Sequence, residues 1–227
     1  MRALALILAA SPAMAADEWP LPESCSGVVT VQAADCTVTH YYRCEGDAPG
    51  AMRRDDLEED GLVFRTRTDN EARWIESEHV EIGITDILGA ERDPASLSDL
   101  LATGRDDFDF LTYSSDGQRQ RYIGFDALTG EEVVIDGVPL KRTAFEMRVE
   151  DMQGNWLWSS VGNEYVSDQW RIFIGGTRTV SSPQEEFVRD GTPERVVLPG
   201  EPGFLARRPI YGCGVMMSGL PAIGGAG

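Results

Sequence analysis

Four cysteines, two histidines, several acidic clusters and a set of tryptophans are the residues in this 227-residue chain whose types and spacing suit chemistry. The cysteines are Cys25, Cys36, Cys44 and Cys213. None is spaced as C-x-x-C, so neither a dithiol redox pair nor a zinc knuckle is indicated. An even count in an oxidising compartment points instead to two disulfides. Val28–Val31 and Thr37–Tyr42 read as two strands turning at Ala34-Asp35. In such a hairpin, residues whose numbers add to 69 face each other, which sets Cys25 opposite Cys44. Cys36 and Cys44 on one strand would stand about 26 Å apart, beyond disulfide reach. The expected bridges are therefore Cys25–Cys44 and Cys36–Cys213, with Cys25–Cys36 and Cys44–Cys213 as the alternative. Cys213, Met216 and Met217 have the softness for copper(I). An oxidised Cys213 in a Gly-rich stretch reads as structural, so no metal and no cofactor are expected.

His40 shares a strand face with Val38 and Tyr42, and His79 falls near a strand end. Two histidines cannot build a three-histidine metal site, and no H-E-x-x-H, G-x-S-x-G, S-x-x-K or phosphate-binding Gly loop is present. Asp55-Asp56-Leu57-Glu58-Glu59-Asp60 has the carboxylate density for calcium. It lacks the alternating spacing and central glycine of a calcium loop and reads as a solvated segment. Asp106, Asp107 and Asp109 are candidate paired carboxylates of a hydrolase. A three-residue loop at Asp116 would place Arg121 diagonal to Asp109 as a cross-strand ion pair. No catalytic residue is assigned. Trp74, Trp156, Trp158 and Trp170 all fall on expected strands, and the spacing of two puts Trp156 and Trp158 on one face. They read either as core or as the wall of an apolar ligand cavity inside a curved sheet.

The elements that must position these residues are mostly strands. Gly61–Thr68, Ala72–Val80, Asp106–Tyr113, Gln118–Phe125, Glu131–Ile135, Leu140–Asp151, Trp156–Val166 and Gln169–Ile174 are separated by regular turn signals such as Ser114-Ser115-Asp116-Gly117 and Leu128-Thr129-Gly130. One helix is expected over 94–103, with Asp93 as N-cap, Pro94 at its first position and Gly104 closing it. The fold class is mainly β: a single antiparallel meander forming a barrel, half-barrel or sandwich, with one short helix. Residues 181–227, rich in Pro and Gly, read as an irregular tail wrapped on the surface. No repeat or linker divides the chain, so residues 16–227 form one domain.

Residues 1–15 read as a cleaved signal peptide. Arg2 supplies the positive start, Ala3–Ala10 the apolar stretch and Ala13-Met14-Ala15 the small residues at the cleavage point. No later segment is apolar enough to span a bilayer, and no cysteine follows the cleavage point to carry a lipid. The expected location is the periplasm or outside the cell. With 20 basic against 38 acidic side chains and a net charge of −18, binding to nucleic acid or anionic lipid through a basic patch is disfavoured. Together these features point to an exported soluble β protein, more a binder than an enzyme, that takes a hydrophobic small molecule or lipid. An envelope protein–protein interaction module and a hydrolase on a β scaffold are the alternatives. The resemblance to lipocalin-like barrels and periplasmic lipid carriers is one of general plan only.

Overall fold

A computed structural model describes residues 18–214 of the chain. The expected leader with its cleavage point near Ala15, and Met216 and Met217, lie outside the described residues.

Thirteen strands form one antiparallel sheet. They are β1 (Cys25–Ala33), β2 (Val38–Cys44), β3 (Met52–Glu58), β4 (Gly61–Thr68), β5 (Trp74–His79), β6 (Ile84–Asp93), β7 (Arg105–Ser114), β8 (Arg119–Ile135), β9 (Val138–Glu150), β10 (Trp156–Ser167), β11 (Ile172–Ser181), β12 (Glu186–Asp190) and β13 (Pro193–Val197). β1 to β12 run as an uninterrupted meander, and β13 then pairs with the free edge of β1. The two edges of the sheet, β12 and β13, are thus joined by Gly191-Thr192 alone. So short a link forces the edges close together, and the sheet is rolled without a closing ladder. Hydrogen bonds bridge the seam: Gly191 N–H donates to the Gly176 carbonyl and Ala34 N–H to the Thr192 carbonyl, each at 3.0 Å. Tyr41 Oη donates to the Phe173 carbonyl at 2.8 Å, and Arg189 reaches Asp35 and Glu58. Both edge strands are five residues long, which limits the length of backbone they offer to another chain.

Four expectations need correction. The segment 181–227 is not irregular throughout, because it contains β12 and β13. Pro193 is compatible with β13, since it opens a strand at the sheet edge. The helix α1 spans Leu97–Thr103, later than Asp93-Pro94 suggested. Ser96 is the N-cap, its Oγ accepting from Asp99 N–H, while Asp93 ends β6. Gly104 does close the helix in the left-handed region, at φ 87°. Finally, Asp55–Glu58 belong to β3 rather than to a solvated loop. The turn expected at Leu128-Thr129-Gly130 is a bulge inside the long β8.

β1 and β2 are covered on both faces. Val29, Val31 and Tyr41 pack against Leu140, Trp170, Ile172 and Ile174. On the opposite face, residues 198–213 lie over Thr30, Gln32 and His40. Leu205 N–H donates to Thr30 Oγ, and Ile210 N–H donates to Gln32 Oε1. His40 Nε2 lies 3.1 Å from the Ala206 carbonyl and Nδ1 lies 2.9 Å from Thr30 Oγ. A carbonyl only accepts, so Nε2 carries the proton and the ring is neutral. Burial pushes its pKa down to about 4.

Both disulfides pair as expected, Cys25–Cys44 within the first hairpin and Cys36–Cys213 between that hairpin and the tail. They indicate an oxidising compartment, extracellular or periplasmic. No helix among the described residues is long and apolar enough to cross a membrane.

Candidate functional site: a two-zoned cavity

The concave face of the rolled sheet encloses a cavity of about 800 Å³. Strand register explains its lining. Residues paired across neighbouring strands form rungs, and every second residue of a strand faces inward. One rung reads Phe110–Tyr122–Val149–Trp158 from β7 to β10. The next reads Phe108–Gly124–Met147–Ser160–Val180–Phe187. Phe110 and Tyr122 stack in parallel with centroids 5.2 Å apart. Trp74 from β5 meets both rings edge-on, and Trp158 meets Tyr122 edge-on at 6.0 Å. These contacts line the apolar zone with rigid aromatic surface. Gly124 is required there. A Cβ on it would lie 2.8 Å from Phe108 Cζ and 2.1 Å from the Glu146 carbonyl.

The third rung changes character: Asp106–Asp126–Phe145–Gly162–Arg178–Arg189. Glu164 lies two residues further along β10, and Arg54 and Asp56 face the same space from β3. Arg54 pairs with Asp56 at 2.7 Å, and Arg189 is held by Asp35 and Glu58. Asp106 accepts from Ser96 N–H at 2.9 Å, while burial pushes its carboxyl up to about 6. Burial, with Glu164 and Asp106 as like charges, pushes Asp126 up to about 8. Burial also raises Glu164. Helix α1 covers one end of the rolled sheet beside this ionic layer, with Leu97 and Leu100 packed against Leu128, Val166 and Phe173.

The four tryptophans separate. Trp74 and Trp158 line the cavity, with Trp74 42 % exposed. Trp156 and Trp170 do not, contrary to their expected place in its wall. A bulge at Leu157 breaks the alternation, so Trp158 pairs with inward Val149 while Trp156 pairs with outward Glu150. Trp170 packs into the core with Ile172 and Val29.

The acidic candidates separate too. Asp106 faces the cavity, Asp107 is exposed beside Arg105, and Asp109 is paired with Arg121, the diagonal ion pair expected of this hairpin. Alternation along β7 therefore prevents the three from acting together. In the other cluster, Asp56 faces the cavity but Asp55 points the opposite way. Asp55 is 0 % exposed and accepts from Arg65 Nε and Nη2 at 2.7 and 2.8 Å, Trp19 Nε1 at 2.9 Å and Tyr42 Oη at 2.9 Å. His79 lies against Phe64, with its Nε2 3.3 Å from Asp86.

Sequence reasoning missed Asp126, Glu164, Arg54 and Arg178. Their signal was a charged residue at an inward position, as in the run Tyr122, Gly124, Asp126. It is visible only once the inward parity of each strand is known. Comparison with protein-family models, with curated proteins and with solved structures finds no match to this chain.

Proposed function

We propose that this chain is an exported, non-catalytic module that holds a hydrophobic small molecule or lipid inside its rolled sheet. The observation carrying this reading is the aromatic lining of a cavity of about 800 Å³, within the roughly 300–1,000 Å³ range of ligand pockets. Solid packing would have filled that volume at a gain of apolar contact. The inner face instead presents ordered rings to an open space, which favours an apolar ligand. The expected leader and the disulfides agree with a periplasmic or secreted setting. The test is mass spectrometry of a solvent extract of the purified protein, joined to a thermal-shift screen of lipids and apolar small molecules. Ligand recovered from the extract, or stabilisation that saturates with added compound, supports the reading. A clean extract and no stabilising compound overturn it.

A second reading, an envelope interaction module, is favoured by one feature. β12 is a sheet edge carrying Phe187 and Val188, which are 45 % and 63 % exposed. Specific capture of an envelope protein, lost on Val188→Lys, would support it over the first.

A further inference from the structure

The ionic layer of the cavity is not charge-balanced, and the imbalance has a definite place. Arg54 is matched by Asp56, and Arg189 by Asp35 and Glu58. The Asp106 carboxylate is held by the Ser96 N–H. Among the described residues, the carboxylates of Asp126 and Glu164 and the guanidinium of Arg178 make no hydrogen bond or ion pair. Arg178 lies near enough to Glu164 to attract it, as does Arg54. That leaves two free acids against one free base, with Asp126 the surplus. Ser160 adds a separate sign of an absent partner. It is 3 % exposed, lines the cavity on the rung next to Asp126, and its Oγ is without a hydrogen-bond partner. A buried hydroxyl left unpaired is destabilising, which marks this stretch of the wall as not built for apolar packing alone.

We infer that the ligand of this cavity is an amphiphile with a protonated amine, its apolar chain lying on the aromatic rungs and its ammonium held between Asp126 and Glu164. This inference rests on the cavity-binding reading and names the chemical class of its ligand. An ammonium carries three donors and one positive charge, which suits two carboxylates to which no group among the described residues donates. An anionic headgroup would instead leave Asp126 protonated and add negative charge beside Glu164. The groups facing Asp126 are Asp106 on β7, Phe145 on β9 and Glu164 on β10, and those facing Glu164 include Arg54 and Arg178. The raised affinity of Asp126 for a proton is the behaviour of a carboxylate lacking a cation. Binding the ammonium displaces that proton to solvent.

The test uses three probes of equal chain length on the full mature chain at pH 7: dodecylamine, dodecanol and dodecanoate, each below its aggregation threshold. Calorimetry in buffers of different ionisation enthalpy counts protons released. The amine is expected to bind at least tenfold more tightly than the alcohol and to release a proton. In Asp126→Asn this preference falls below about threefold and the proton release disappears. Glu164→Gln, equally isosteric, lowers the preference as an independent check. Both variants are isosteric with the acids they replace, so near-UV circular dichroism is expected to match the parent. Equal binding of amine and alcohol, tighter binding of dodecanoate, or a preference untouched by both variants overturns the ammonium assignment and leaves the cavity reading standing. Failure of all three probes to bind overturns both.

Discussion

Removing the disulfides separately weighs the two ways sulfur holds this fold. Cys25 and Cys44 are 19 residues apart and already face each other in the β1–β2 ladder, whereas Cys36 and Cys213 are 177 apart and join the tail to the first hairpin. In the chain-entropy account a cross-link stabilises by shrinking the unfolded ensemble, by about 3 kcal/mol for the short loop and about 5 kcal/mol for the long one. Cys36→Ser/Cys213→Ser should therefore cost about 2 kcal/mol more than Cys25→Ser/Cys44→Ser. At this chain length the difference amounts to roughly 4–8 °C in Tm. Cys36 has a left-handed φ of 60° that a serine would inherit, so backbone strain does not separate parent from variant there. The assay is urea denaturation of the parent and both double variants, followed by tryptophan fluorescence. The long-loop variant should also show the larger m-value, because its unfolded chain expands more. A short-loop variant that loses as much stability as the long-loop variant, or more, refutes the reasoning.

Four other perturbations have signs fixed by the structure. Folded Asp126 keeps a proton up to about pH 8 that the unfolded chain releases near 3.8, so this group lowers stability as pH rises between those values, a limb free of the opposing His40 titration from pH 6.5 to about 8. Asp126→Asn should flatten that limb of a pH–stability curve, and an unchanged slope would contradict the assignment. As pH drops from 6.5 towards 4, neutral buried His40 costs stability as the unfolded chain gains a proton there, a loss that His40→Gln should reduce. Arg65→Met strands the fully buried Asp55 carboxylate with only its two neutral donors, and should cost about 3 kcal/mol in chemical denaturation. Gly124→Ala drives a methyl group into Phe108 and the β9 backbone. It should cost about 1–3 kcal/mol and weaken binding of any apolar ligand, with thermal shift reading both.

Much of the frame was legible in the residues themselves. The period-two alternation and turn residues identify an antiparallel meander, since a half-buried strand leaves no other pattern. The sum rule at the first hairpin paired Cys25 with Cys44, and the Asp116 hairpin paired Asp109 with Arg121. The second holds because register near a tight turn is set locally, whereas the first hairpin leaves its turn one residue out of that register and a bulge between Gly27 and Val29 restores it, bringing Cys25 opposite Cys44. Local pattern failed where a distant element changed a residue's surroundings. The acidic run at Asp55 reads as solvated until Arg65, Tyr42 and Trp19 converge on it. Trp156 and Trp158 read as one face until a single bulged residue turns them apart.

The cavity was beyond reach for the same reason. Its rungs exist only when six strands are in register, and its charge balance depends on which acids find a base across the rolled sheet. Composition and spacing thus determined a β fold and the sulfur bridges; the roll of the sheet decided which side chains share an interior. Alternation assigns each residue to one of two faces, but only the packing of distant strands determines what each face meets.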